Sequence, residues 1–215
     1  MGIVLSGERS VGSFRREVNG RRKHMGRPAS FDGRVRHTLP MGGVFASREL
    51  AIAKTVLGSC VAVCLVDPVE RIGGMNHFML PSRLDQGGDY RNTCYGVYAM
   101  DLLMNEMIKL GADRGRLQAK VFGAAYLLGL GGGAQSVATQ NTGFIASYLK
   151  NEGIPLIAQD LGGDRPRIIY FFTDTGRILL KRLGQGASGR LALRERQYER
   201  KALRAIEAPA DVTLF

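Results

Sequence analysis

Tryptophan is absent from the 215 residues, cysteine and histidine occur three times each, and no run approaches the roughly 18 to 20 apolar residues of a membrane span. Each scarcity excludes something. An odd number of cysteines at irregular spacings builds no disulfide framework, and thiols kept reduced suit a cytoplasmic protein. The N-terminus lacks the long apolar stretch of a secretory signal, so the expected setting is the cytoplasm, without membrane insertion. Nucleic-acid binding needs cationic and aromatic side chains in the folded core, and here the charge lies elsewhere. Lys and Arg outnumber acids nine to three in residues 1–40 and eight to four in residues 181–215, but only thirteen to twelve between them. The net charge of +11 therefore belongs to the ends. The N-terminal stretch "RREVNGRRKHMGRPAS" reads as a solvated, mobile extension rather than a polyanion-binding arm. The start "MGIVLS" fits a myristoylation pattern at Gly2 and Ser6, but that pattern is short and carries little weight.

What is present is enough for one sizeable core: 45% hydrophobic residues and 29 glycines. Ile52 to Leu57 and Val61 to Val66 read as strands around the turn Gly58-Ser59, and "MNHFML" reads as a short strand after the turn "ERIGG". "SRLDQGGDYRN" is a polar loop. Val97, Met100, Met104, Met107 and Ile108 recur at helical spacing and stop at Gly111. Lys120 to Phe122 suits a strand, and Asn141 is placed to cap a helix whose apolar face is Phe144, Ile145, Tyr148 and Leu149. Strands follow at Leu156 to Ala158, Arg167 to Phe172 and Arg177 to Arg182. A charged helix from about Arg190 to Ile206, with a thin apolar stripe, is expected at the periphery. The pattern predicts a mixed α/β domain in which strands outnumber helices.

Chemistry narrows to few residues. "GLGGGA", from Gly129 to Ala134, has the glycines of a dinucleotide-binding turn but neither a convincing strand before it nor a helix opening inside it, so it reads as a loop. Cys60 and Cys64, four residues apart on a strand, are separated by about 13 Å, too far to share a zinc ion or a disulfide. Cys64 reads as a small buried hydrophobe, and Cys94 as a thiol in an exposed polar loop. Cys60 differs, because it follows a glycine turn that can present backbone N–H groups. His24 and His37 fall in the tail region, which leaves His77 as the core imidazole. A thiol nucleophile needs such a base. By pattern alone, Cys-His catalysis competes with a structural cysteine and a hydrogen-bonded core histidine.

"LGSCVAVCLVDP" followed by "GGMNHFMLP" resembles the CheD family of chemoreceptor glutamine deamidases. "YGVYAMDLLMNEMIKLGADRGRLQAKVFG", "EGIPLIAQDLGGDRPR" and "TGRILLKR" agree in the same order, and the resemblance spans roughly Leu39 to Leu183. It implies a single compact α/β sandwich similar to glutamine-deamidating toxins over residues 39–183. A basic extension at residues 1–38 precedes it, and a basic, helical one at 184–215 follows. It also implies hydrolysis of glutamine side chains to glutamate on methyl-accepting chemotaxis receptors, with Cys60 as nucleophile and His77 as base. Thr55 matches the third member that orients the imidazole, although Lys54 stands one residue away, on what would be the opposite face of a strand. One segment departs from the family: "VFGAAYLLGLGGGAQSVATQN" stands where the family usually has a Gly-Gly-Ala-Met-like segment with an Ile-Gly-x-x-Asn turn, while keeping Asn141.

The implied reaction needs no metal or organic cofactor. His77 takes the Cys60 proton, the thiolate attacks the carboxamide carbon, ammonia leaves, and water releases the thioester. Ser59 belongs either to the turn alone or also to substrate contacts. The alternative function is a non-catalytic adaptor for chemoreceptors or for a CheC-type phosphatase, a partner that the resemblance itself implies.

Overall fold

Val61 to Asp67 is apolar at nearly every position, and a strand without polar alternation has to be covered on both faces. In the computed structural model, which describes residues 34–80, 93–127 and 136–207, this strand (β4) is buried along its whole length. It lies at the centre of a five-stranded sheet ordered β2-β5-β4-β6-β7, from Val44–Ser47, Ile72–Asn76, Val61–Asp67, Gln118–Gly123 and Leu156–Leu161. Its odd-numbered side chains, Val61, Val63 and Leu65, pack under the helices α1 (Gly96–Lys109) and α2 (Val137–Asn151), against Met100, Leu103, Met107, Ile145 and Leu149. Ala62 and Cys64 point the other way and meet Ala53, Leu57, Ile169 and Phe171 of a second sheet. That sheet has four strands ordered β1-β3-β8-β9, from Val35–Thr38, Ala51–Leu57, Arg167–Phe172 and Ile178–Arg182. The layers therefore run helices, five-stranded sheet, four-stranded sheet. Fully burying each Val or Leu of this strand contributes about 1.5 to 3 kcal/mol.

The chain is an α/β sandwich in which, among the described residues, nine strands outnumber three α-helices. Several local expectations change. The strand after β4 begins at Ile72 and takes in Gly73 and Gly74, so "ERIGG" is not simply a turn, and beyond Asn76 only isolated bridges at Phe78 and Leu80 continue it. Those glycines belong in the strand because a Cβ on Gly73 would come within 2.3 Å of the Thr173 carbonyl oxygen. Ile108 is 42% exposed, and the core face of α1 runs through Gly96, Ala99 and Leu103 with the methionines. His37 lies on β1, beside β3, with its ring stacked on Phe45 at 4.2 Å, rather than in a tail. Its strand is only four residues long, too short for an alternation to register. Asn141 does not cap α2. Ser136 does, accepting from the Thr139 N–H at 3.2 Å, and Asn141 lies one turn inside, fully buried.

The last helix, α3 (Gln185–Glu207), is not peripheral. Ala192 is buried against Ala125 and Leu127, which brings one face of α3 over the turn before β4. Outside the described residues lie the basic stretch up to residue 33 with its myristoylation pattern, the whole loop "SRLDQGGDYRN", the glycines of "GLGGGA" and the chain after Glu207.

Candidate active site

Strand alternation decides which side of β3 faces inward. Ala53, Thr55 and Leu57 are buried toward the other sheet, whereas Lys54 and Val56 are half-buried, and the Lys54 ammonium lies over the Tyr170 ring at 5.6 Å. The inward hydroxyl is therefore that of Thr55, and Lys54 points away. Across the layer, Val61 and Phe78 exchange both backbone hydrogen bonds, at 3.0 and 2.9 Å. Cys60 and His77, each one residue earlier, then lie diagonally on the face shared with Ala62, Cys64 and Met75, a spacing of roughly 7 to 8 Å at the backbone. Thr55, Cys60 and His77 thus share the interior layer between the sheets.

The hydroxyl of Thr55 donates to the Leu39 carbonyl at 2.8 Å and lies 2.8 Å from His77 Nδ1. A hydroxyl has a single proton. With that proton committed to Leu39, Thr55 Oγ1 can only accept from the imidazole, so Nδ1 carries the hydrogen and Nε2 keeps its lone pair. His77 Nε2 is buried and has no hydrogen-bond partner among the described residues. The His77 backbone is fixed as well: its N–H donates to Gly43 at 2.9 Å and its carbonyl accepts from Gly42 at 2.7 Å. Burial pushes the His77 pKa down to about 4, with the Leu39 carbonyl acting in the opposite direction, so the ring is neutral at pH 7. A neutral imidazole with a free lone pair is in the form a general base requires.

The turn before β4 is held at each of its three carbonyls. Gly58 accepts from Ala125 N–H at 2.7 Å and Cys60 from Ala124 N–H at 2.8 Å. Ser59 accepts from Asn141 Nδ2 at 3.3 Å, and that nitrogen also donates to the Met79 carbonyl at 2.7 Å. Gly123, at φ +120°, allows this approach, since a Cβ there would lie 2.1 Å from the Cys60 carbonyl oxygen. The N–H groups of the turn point the other way, into the site. There the Glu195 carboxylate of α3 accepts from Ser59 N–H at 3.1 Å, from Ser59 Oγ at 2.7 Å and from the Cys60 thiol at 3.4 Å.

The electrostatics follow from this closure. Cys60 is fully buried, and burial, then the charge of Glu195, then its hydrogen bond raise the thiol well above the ordinary range. Burial also raises the Glu195 carboxyl, against hydrogen bonds from Ser59 and Cys60 that hold it down. As arranged here, the site holds a neutral thiol and a neutral imidazole. Cys64 is the buried hydrophobe that the sequence predicts, and none of the three cysteines is in a disulfide. Cys94, expected in an exposed loop, is buried, with its sulfur 3.1 Å from the Tyr198 hydroxyl of α3. A polar sequence context does not reveal a helix folding over it.

Sequence reasoning missed Glu195 and the clamp made by Asn141. A signal for the first exists: Ser188, Leu191, Ala192, Glu195 and Tyr198 follow helical spacing, so an acid sits on the stripe that faces the protein.

A sandwich of two sheets that encloses a thiol, an imidazole and a hydroxyl, with the imidazole tautomer set by that hydroxyl, has the parts of a cysteine-dependent hydrolase. A family profile described as CheD chemotactic sensory transduction matches residues 79–182. A protein of Stenotrophomonas maltophilia strain K279a, named "Probable chemoreceptor glutamine deamidase CheD", is 49% identical over 159 residues, 74% of this chain and 76% of the relative. One of Xanthomonas euvesicatoria pv. vesicatoria bears the same name at the same identity and coverage. "Probable chemoreceptor glutamine deamidase CheD 1" of Shewanella oneidensis is 43% identical over 176 residues, 81% of this chain and 84% of its own length. The chain belongs to the CheD family.

Proposed function

We propose that this protein hydrolyses glutamine side chains of methyl-accepting chemotaxis receptors to glutamate, with Cys60 as nucleophile, His77 as base and Thr55 as the residue that orients His77. The observation that carries this reading is the chain of hydrogen bonds from His77 Nδ1 through Thr55 Oγ1 to the Leu39 carbonyl, which leaves Nε2 as a lone pair on the face that Cys60 shares. The names of the relatives support the substrate and the reaction.

His77 Nε2 removes the thiol proton as Sγ attacks the carboxamide carbon of glutamine. The oxyanion that forms takes the N–H groups of Ser59 and Cys60. His77 then returns its proton to the leaving nitrogen, the C–N bond breaks, and ammonia departs, leaving a thioester. Water, deprotonated by His77, attacks that carbon; the C–S bond breaks and a carboxylate remains. The new carboxylate on a receptor then becomes available for methylation and so tunes signalling, in the cytoplasm where the receptor's signalling region lies.

One observation favours the adaptor reading: Cys60 is fully buried beneath Glu195, as in a site not in use. An adaptor for receptors or for a CheC-type phosphatase would bind without turnover. Incubation of the full chain with a receptor cytoplasmic fragment, followed by peptide mass spectrometry, separates the two. A mass gain at receptor glutamines that is lost with Cys60→Ala establishes the deamidase. Binding without any gain, in several receptors, leaves the adaptor.

A further inference from the structure

Glu195 is the feature that the proposed mechanism does not use. It is 3% exposed, in a helix whose neighbouring buried positions carry the small residues Ser188 and Ala192. A carboxylate is a costly choice for such a stripe, because burial disfavours its charge and an apolar residue would pack without that cost. Glu195 also meets a convergent set of donors. Oε2 takes the N–H and the hydroxyl of Ser59, Oε1 faces the thiol of Cys60, and the N–H of Cys60 faces the same carboxylate. Gly58 keeps the space open, since a Cβ there would lie 2.5 Å from Glu195 Oε1. These donors are the ones that would hold the oxyanion of a glutamine under attack by Cys60. Glutamate is moreover what hydrolysis of a glutamine side chain leaves behind, with the same number of carbons between backbone and carboxyl.

We infer that the seat of the Glu195 carboxylate is the subsite for the substrate's side-chain carboxamide, and that α3 occupies it in the manner of a bound product, so that a substrate helix must displace α3 to react. This rests on the deamidase reading above. Ser59 then becomes a substrate-positioning residue, holding the carboxamide oxygen through both N–H and hydroxyl. The ligand class is an α-helix that presents glutamine with small residues three and seven positions before it, as Ala192 and Ser188 stand to Glu195. Tyr198, which donates to the Met41 carbonyl at 3.1 Å and lies 3.1 Å from the Cys94 sulfur, latches α3 one turn further on.

The test uses the full chain with Glu195→Gln, which places a true carboxamide at this seat. In self-deamidation, Cys60 attacks the introduced carboxamide, its C–N bond breaks and ammonia is released; water then attacks the thioester and restores glutamate at the position. Peptide mass spectrometry of the purified variant is expected to find Glu at position 195, and Gln in the double variant Glu195→Gln, Cys60→Ala. A second full-chain variant, Ala192→Arg, wedges α3 away from Ala125 and Leu127. It is expected to raise deamidation of a receptor fragment about tenfold and to speed alkylation of Cys60 by iodoacetamide at neutral pH. An unconverted carboxamide in the single variant, while the same protein converts receptor glutamines, would overturn the inference and leave the deamidase intact. Glu at position 195 in both variants would overturn it as well, because Cys60 would not be responsible. If the carboxamide persists and neither wild type nor Ala192→Arg converts a receptor fragment, the deamidase reading fails and this inference falls with it.

Discussion

The two sides of the site are built by different means. His77 and Thr55 sit on opposite layers of the sandwich, tied to each other and to Leu39, and the His77 backbone is bonded on both its N–H and its carbonyl. The Cys60 side rests on a turn whose carbonyls are held by neighbouring segments, but its N–H groups and its sulfur are satisfied by a single residue of α3. One side is part of the core, and the other is completed by a helix that a competitor can replace. A base must hold its tautomer and position through every turnover, whereas a nucleophile and its oxyanion donors must exchange partners to admit a substrate. The division of structure matches the roles proposed for His77 as base and Cys60 as nucleophile.

The contrast is broken most sharply by removing the two groups proposed to react. Cys60→Ala or His77→Asn is expected to lower receptor deamidation about 10⁴-fold or more, measured by mass spectrometry of receptor glutamines with time. An activity that survives either change would place the chemistry elsewhere.

Next in size is the pH dependence of stability. With the folded pKa of His77 near 4, below its unfolded value of about 6.5, the unfolded chain binds the extra proton. The contribution is present in full above pH 6.5 and declines as pH falls, costing about 3 kcal/mol by pH 4. Urea melts at pH 7 and pH 4.5 are expected to show a smaller difference for His77→Asn than for wild type. Equal differences in the two proteins would mean that the ring is solvated.

Thr55→Val keeps the shape of the side chain and removes the oxygen that accepts from Nδ1, so a loss of about 10²-fold in kcat is expected, with Thr55→Ser close to wild type. Nitrogen NMR of His77 supplies a readout that a packing defect would not move, namely a shift of the proton away from Nδ1. The smallest effect concerns the turn. Asn141→Ala leaves the Ser59 and Met79 carbonyls without their shared donor and is expected to cost about 2 kcal/mol of stability. A chemical-denaturation midpoint unchanged by this substitution would show that the clamp contributes nothing.

Much of the framework was legible because the physics is local. The apolar run of β4, the methionine spacing of α1 and the stop at Gly111 depend only on period and on glycine's freedom at positive φ. Thr55 and Lys54 could not be separated before the facing sheet was known, because alternation shows that the two differ in side but not which side is covered. His37 was missed as a strand residue because four residues next to a basic stretch carry too little pattern. Asn141 misled because asparagine is a good cap, and only the nearby carbonyls of Ser59 and Met79 make it more useful one turn inside the helix.

The order of the strands and helices from β3 onward and the likeness to the family were legible in residues read along the chain, since period and turn chemistry depend on near neighbours. The tautomer of His77, the burial of Cys60 and the seat of Glu195 were settled only when the layers packed. Those depend on groups 16 to 136 residues apart meeting in one low-dielectric layer, where a single hydrogen bond or charge sets the state of its partner.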